Sequence, residues 1–376
     1  MGRTPSLMNL RQRVRMKPTA EGIGGAEASE SSDGMESGTG EPTSGIILVD
    51  KPSGVTSHDV VAAVRSGLGM RRVGHAGTLD PMATGLLVIG FGQATRLLTV
   101  IVGHDKTYRA TVRLGLGTTT DDADGDLLPV RPGAAQRVDE LTAQDLQDLI
   151  DRCFTGWIDQ VPDAFSAIKV KGKRAYDLAR AGQEVKLEPR RIRIASFNVL
   201  DFRRVDLPDQ GAKVVDADVE VTCSSGTYIR ALARDLGERL DLGGHLTVLR
   251  RIRVGPFDLE DSDLASRVLG GHVVPHTYRN RQGQTVVRSR MVLDRNRQAM
   301  LDGSLDLAQA ARMSMPVLNL DADQAVRVSN GGFLDLPVTG PTAALAGPQG
   351  KQRLAAILVP GSRGGAKPDV VFHPEA

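Results

Sequence analysis

The stretch Gly74-His-Ala-Gly-Thr-Leu-Asp-Pro-Met-Ala-Thr-Gly85 constrains the fold of this chain more than any other. Its glycines and proline bar a helix from running through it. Pro81 disfavours helical φ/ψ at Asp80 and holds that residue extended. A carboxylate is therefore presented from stiff backbone. Gly74, Gly77 and Gly85 permit positive φ and the close approach of another chain or a ligand. Read locally, the stretch is an Asp-Pro turn between two regular elements. Its weight comes from what surrounds it.

On the N-terminal side, Ile46, Ile47, Leu48 and Val49 form an unbroken apolar run, the signature of a strand buried on both faces. Asp50-Lys51-Pro52-Ser53-Gly54 ends it with turn chemistry. Ser57 is then the expected N-cap of a helix with Val60, Val61, Val64 and Leu68 on one face. After the Asp80 loop, an apolar strand over 86–91 and a short helix from about residue 93 are expected. Residues 106–114 alternate: Tyr108, Ala110, Val112 and Leu114 share one face, Arg109, Thr111 and Arg113 the other. Tyr108 thus ends an apolar face, either in the core or at the lip of a cleft. An amphipathic helix is expected over 141–154, and strands near 190–199 and 214–223.

Ser224-Ser-Gly-Thr-Tyr-Ile-Arg230 opens a helix whose buried stripe is Ile229, Leu232, Ala233, Leu236 and Leu240, with Arg230 and Arg234 on its flank. An arginine in a first turn opposes the helix dipole, so a specific carboxylate partner is expected for Arg230. The segment 245–254 reads as a strand carrying Leu249, followed by Arg250, Arg251 and Arg253. Residues 278–290 are basic and polar and read as an extended loop. Beyond 291, a helix near 305–313 and strands near 316–320, 353–359 and 370–372 suggest a second unit. Residues 1–44 carry few large apolar side chains and are expected to be a disordered tail.

Charge and cysteine content exclude several classes. The net charge of +2 over 376 residues is far from that of a polycation, so any nucleic-acid contacts must come from local clusters. Lys169, Lys171, Lys173 and Arg174 around Gly172 form one, in what reads as a compact basic hairpin. Asp121, Asp122, Asp124 and Asp126 do not make an EF-hand. With Gly125 at the sixth position, Thr120 and Arg131 occupy the ends of the loop, where Asp and Glu are required. A solvated acidic turn is the default expectation, with a role beside the active site as the alternative. Cys153 and Cys223 are too few for a disulfide framework or a four-ligand zinc site and suit a reduced, cytoplasmic setting. No apolar run reaches the ~20 residues that span a bilayer.

Taken in order, Gly45-Ile-Ile-Leu-Val-Asp-Lys-Pro-Ser-Gly54, Gly74 to Gly85, Lys106-Thr-Tyr-Arg109, Ser166-Ala-Ile-Lys169 and Gly226-Thr-Tyr-Ile-Arg230 resemble the motifs of the bacterial tRNA pseudouridine-55 synthases, the TruB family. The resemblance runs over roughly 45–257. It implies an α+β fold with a mixed, largely antiparallel sheet flanked by helices, and a small, mostly β C-terminal domain. The expected division is a tail (1–44), a catalytic domain (45–260), a linker with the basic loop (261–290) and a PUA-like RNA-binding domain (291–376). The implied reaction isomerises uridine 55 in the TΨC loop of tRNA to pseudouridine, in a monomer with no cofactor and no metal. Position by position, Asp80 matches the catalytic aspartate, Tyr108 the tyrosine that stacks on the target base, and Arg230 the arginine that pairs with the aspartate. His75, Tyr228 and Leu249 match substrate-contacting positions, and Lys51 with Pro52 matches the support of the catalytic loop. The tail and the 278–290 loop have no counterpart in the family core.

Such a reaction breaks the C1′–N1 bond, turns the base and rejoins C1′ to C5. One ionised carboxylate near C1′ meets that need, as nucleophile or as counter-charge to a sugar cation. A uridine inside a folded RNA arm must first be flipped out. Two other classes compete: a non-catalytic tRNA-binding or chaperone module, and a glycosidase-like hydrolase. The hydrolase ordinarily needs two facing carboxylates, and only Asp80 has a clear setting.

Overall fold

The computed structural model describes residues 43–163, 169–170, 173–174, 187–280, 282–362 and 364–374. In chain order the strands of the first part are β1 (Gly45–Lys51), β2 (Val73–His75), β3 (Thr84–Phe91), β4 (Lys106–Leu114), β5 (Gly156–Gln160), β6 (Lys169–Val170), β7 (Lys173–Arg174), β8 (Arg190–Leu207), β9 (Ala212–Cys223), β10 (Gly244–Val254) and β11 (Phe257–Asp258). There follow β12 (Gly271–Arg279), β13 (Thr285–Leu293), β14 (Val317–Leu320), β15 (Thr342–Ala346), β16 (Arg353–Pro360) and β17 (Ala366–Val371).

A nine-stranded sheet in the order β1-β3-β10-β4-β9-β8-β5 is the frame, with β2 on β3 and β11 on β10. Every pairing in it is antiparallel except β3 with β10. The unbroken apolar run of β1 follows from cover on both sides. Ile46 and Leu48 pack with Leu86, Val88, Leu305, Ala343, Ile357 and Phe372, so the C-terminal part of the chain closes one face. Ile47 and Val49 pack with Leu87, Ile89, Val60, Val64 and Met291 on the other. Full burial of each such side chain contributes about 1.5–3 kcal/mol.

Strand β4 has the alternation read from its sequence. Tyr108, Ala110, Val112 and Leu114 enter a core with Leu232 and Leu236 of the helix Ile229–Arg239 and with Leu146 and Ile150 of the helix Ala143–Cys153. Its outer face carries ion pairs: Arg109 with Glu220 of β9 and with Glu260 just after β11, and Arg113 with Asp216 of β9. On the neighbouring strands Arg203 pairs with Asp218.

Several expectations need correction. The N-cap of the helix Ser57–Leu68 is Thr56, which forms a capping box with Asp59. Ser57 is freed for a contact described below. Strand β8 runs well past residue 199, through two register shifts, its outer half paired to β9 with Phe202, Val205 and Leu207 packed inward and Arg203 paired with Asp218. The 278–290 region is not an extended loop. It belongs to a two-stranded hairpin, β12 with β13, paired from Gly271↔Leu293 to Arg279↔Thr285. Valines at 273, 274, 286, 287 and 292 supply the strand propensity. The C-terminal sheet is four-stranded, in the order β14-β15-β16-β17. Strand β15 and the helix Ala322–Ser329 were not foreseen. The basic hairpin at 169–174 is present as the short ladder β6–β7. The tail up to residue 42, Ser166 to Ile168 and Lys171 lie outside the described residues.

Candidate active site

The loop 76–83 between β2 and β3 is fastened from beneath. Ser57 Oγ donates to Leu79 O at 3.1 Å and accepts from Leu79 N at 2.8 Å. Lys51, fully buried, donates through Nζ to Val55 O at 2.7 Å, Pro52 O at 2.9 Å and Pro81 O at 3.2 Å. Gly54 N–H also reaches Pro81 O, at 2.9 Å. The carbonyl beside Asp80 is thus fixed by the Lys51-Pro52 turn. Burial pulls the Lys51 ammonium down to about 8, against the opposing pull of the Asp80 charge. Gly85 has φ +101°, and a Cβ there would lie 2.2 Å from Arg251 O, so only glycine fits. Gly77 is also at positive φ; Gly74, inside β2, is not.

Arg230 stands in the first turn of the helix Ile229–Arg239, and the carboxylate partner expected for it is there. Its Nε donates to Asp80 Oδ2 at 2.9 Å. Its Nη1 donates to Thr120 O at 2.8 Å, pairs with Asp163, and lies 3.5 Å from Asp122 Oδ2. Burial alone would weaken the guanidinium's hold on its proton; the charges of Asp80, Asp163 and Asp122 outweigh it and raise its pKa. The side chains of Arg230, Asp163 and Asp122 are 5%, 3% and 8% exposed, whereas Asp80 is 35% exposed. One hidden cation therefore holds three carboxylates and presents only one of them. A turn further on, Arg234 binds Asp121 at 3.2 Å and Val161 O at 2.8 Å.

The acidic turn at 121–126 is consequently only half solvated. Asp124 and Asp126 are exposed, but Asp121 and Asp122 turn inward to the two arginines. Burial pushes the Asp121 carboxyl up to about 7, and its backbone is left-handed at φ 58°.

Above this network lies a cavity of about 300 Å³, lined among others by Asp80, Tyr108, Tyr228, Arg230, Leu249 and Arg251. Tyr108 and Arg251 face one another across the β4–β10 ladder. Burial raises the pKa of the Tyr108 phenol. Arg251, 1% exposed, donates to Leu86 O at 2.8 Å and Gly77 O at 3.1 Å, tying β10 to the Asp80 loop. Lys106 closes one edge, donating to Val102 O and His104 O at 2.5 Å each; burial pulls it down to about 8. The backbone of Tyr228 is bracketed by the Gln160 amide, which accepts from its N at 2.9 Å and donates to its O at 3.0 Å.

The cavity thus gathers Asp80, Tyr108, Tyr228, Leu249 and Arg230, with Lys51 directly under the loop. His75 is not among its lining residues. It lies in an adjoining groove with Arg65, Arg71 and Arg72, which shares Val102 with the cavity. The His58 ring meets it edge-on at 5.7 Å, and burial pulls its pKa down to about 4. Sequence reasoning allowed the acidic turn a role beside the site without singling out Asp122, and it missed Asp163, Lys106 and Arg251. For Arg251 a signal existed, since it shares strand parity with Leu249. No helix among the described residues is long and apolar enough to cross a membrane.

Comparison with known proteins identifies the family. Residues 65–229 match the TruB family pseudouridylate synthase (N terminal domain), and 230–269 match the tRNA pseudouridylate synthase B C-terminal domain. The chain is 46% identical over 381 residues to the tRNA pseudouridine synthase B of Bifidobacterium longum (strain DJO10A), covering 88% of this chain and 98% of that protein. It is 45% identical over 328 residues to the tRNA pseudouridine synthase B of Thermobifida fusca (strain YX), covering 87% and 98%. Among solved structures, a Cbf5-Nop10-Gar1 complex shares the fold with a TM-score of 0.58 at 21% identity, over 88% of this chain and 85% of that one. The chain belongs to the TruB family of pseudouridylate synthases.

Proposed function

We propose that this chain isomerises uridine 55 in the TΨC loop of tRNA to pseudouridine, with Asp80 as the catalytic carboxylate. One observation carries the reading. Among the described residues that line the cavity Asp80 is the one acid, and a buried guanidinium holds its Oδ2 while no donor among the described residues reaches Oδ1. That leaves one carboxylate oxygen for a sugar carbon. The C1′–N1 bond breaks, the base turns, and C1′ bonds to C5. The C5 proton leaves and N1 is protonated, so nothing is added overall. Asp80 enters the reaction as a carboxylate, with the Arg230 guanidinium at 2.9 Å as its counter-charge.

The nucleotide enters everted, at a cost of a few kcal/mol. Stacking on an aromatic ring, worth ~1–3 kcal/mol per base, offsets part of it. Tyr108 is the stacking ring, and Leu249 and Tyr228 complete the wall around the base. Lys106 and Arg251 bring positive charge to the same cavity, which suits a nucleotide's phosphate. His75, in the groove with Arg65, Arg71 and Arg72, contacts the nucleotides flanking the target. Lys51 with Pro52 keeps the Asp80 loop at its height. Residues 291–376 serve as a PUA-like RNA-binding unit, and the protein works as a cytoplasmic monomer without metal or cofactor.

The test is to incubate purified protein with a defined tRNA transcript and map pseudouridine along it. One new pseudouridine is expected, at position 55, and none in a transcript carrying cytidine there. Tight tRNA binding with no pseudouridine anywhere would instead support a non-catalytic tRNA-binding module.

A further inference from the structure

Among the described residues, the hairpin β12–β13 is an element that the isomerase reading leaves without a task. From Gly271 to Leu293 it contains four arginines, two histidines, a tyrosine and no acidic residue, in a chain whose net charge is only +2. Its pairing register places His272, His276, Tyr278, Arg288 and Arg290 on one face, with His276 opposite Arg288 and Val274 opposite Arg290. Those five side chains are exposed. On that face the His276 and Tyr278 rings stack, with centroids 6.1 Å apart and planes inclined by 17°.

The base of the hairpin is anchored. Met291 is buried with Val60, Val64 and Leu68 of the helix Ser57–Leu68, and Leu293 lies beside Gly67. Further along β13, Arg288 reaches Asp59 in the first turn of that helix, at 3.5 Å. The strand therefore runs back along the helix towards its N-terminus. Residues 282–287 continue the hairpin past Arg288, towards the helix end where Ser57 holds the Asp80 loop and His58 meets His75.

We propose that this hairpin is a second RNA-gripping arm, taking phosphates of the tRNA outside the everted nucleotide on Arg288 and Arg290 and an exposed base or sugar on the His276–Tyr278 stack. The proposal rests on the isomerase reading for its partner. The chemistry of the face suits RNA: exposed cations beside a flat stacked pair, where Asp59 lies 3.5 Å from Arg288 and Asp294 lies 2.9 Å from His272, and no carboxylate among the described residues is paired with Arg290.

The experiment measures the Kd of the full chain for full-length tRNA against salt concentration, for the wild type, Arg288→Gln/Arg290→Gln and His276→Ala/Tyr278→Ala. Two lost phosphate contacts flatten the slope of log K against log salt by about 1.5 and weaken binding roughly tenfold near 0.1 M salt. The His276→Ala/Tyr278→Ala pair is expected to weaken binding without changing the slope. Circular dichroism and thermal unfolding check that each variant is folded; all four side chains are exposed. An unchanged Kd and slope in the arginine pair overturns the proposal. So does a wild-type dimer, seen by sedimentation, that the variants abolish while tRNA binding stays the same. Pseudouridine formation by the wild type is scored separately. Pseudouridine formed, with hairpin variants that bind as the wild type does, refutes the arm alone; a hairpin-dependent slope with no pseudouridine refutes only the isomerase reading.

Discussion

The same chemistry, arginine against carboxylate, is used on the two faces of one sheet to opposite effect. On the outer face, Arg109 with Glu220 and Glu260 and Arg203 with Asp218 form exposed pairs along the strands. On the inner face, Arg230 gathers Asp80, Asp122 and Asp163 with almost no access to water. Exposed pairs gain little, because water and salt screen them and long side chains must be held still. A buried cation cannot be removed without stranding its partners. The outer set dresses a strand, and the inner set makes a site.

The largest expected effect is therefore that of Arg230→Met. It leaves carboxylates facing one another in a dry pocket. A stability loss of about 3–5 kcal/mol in denaturant titration is expected, with turnover down by about 10²–10³-fold. Arg230→Lys keeps the charge but loses the planar fork, and should fall between that variant and the wild type.

Lys51→Met comes next. It removes the side-chain donor to Pro52 O and Val55 O and one of the two donors to Pro81 O, and a shift of the Asp80 loop by about 1 Å costs ~10²-fold in kcat. The wild type has a related pH signature. With the ammonium pulled down to about 8, turnover should decline as pH rises through that value, since the neutral amine has one N–H too few for its three acceptors. Stability moves the other way. The unfolded chain binds more protons between about 8 and the ordinary lysine value of 10.5, so folding is favoured as pH climbs through that window. Falling activity with rising stability separates a local cause from unfolding.

Smaller still is Asp121→Asn. The folded carboxyl sits near 7 against 3.8 for the free group, so the folded state binds more protons between those values and stability is lost as pH rises through them. Asparagine tolerates the left-handed backbone and carries no charge. The variant should be more stable than the wild type at pH 8 and equal to it at pH 4, by thermal unfolding. Least of all is Arg109→Gln, with side chain and partners in water; less than about 1 kcal/mol is expected, vanishing in high salt. An Arg109 effect as large as that of Arg230 would erase the distinction between the two faces.

The same contrast explains what the amino-acid sequence makes legible on its own. Strand β4 stands out because its two faces differ in polarity, and β1 because both its faces are covered. The Asp80 loop is legible from Pro81 and its glycines, and Arg230 from a cation set against its helix dipole. Asp122 is legible only as one member of an acidic turn that could stand beside the site, and Asp163 not at all, because their burial depends on an arginine distant in sequence. Ser57 looks like a cap because its bond to Leu79 joins two turns far apart along the chain. The β12–β13 hairpin reads as a loop because most of its side chains stay in water, so its alternation carries little polarity contrast.

The proposed function turns on Asp80, and the most direct measurement is tritium release from tRNA labelled at uridine C5 by Asp80→Asn beside the wild type. Amide for carboxylate keeps the shape and removes the charge. No release above background is predicted, with tRNA affinity retained. Release at the wild-type rate would contradict the role given to this carboxylate.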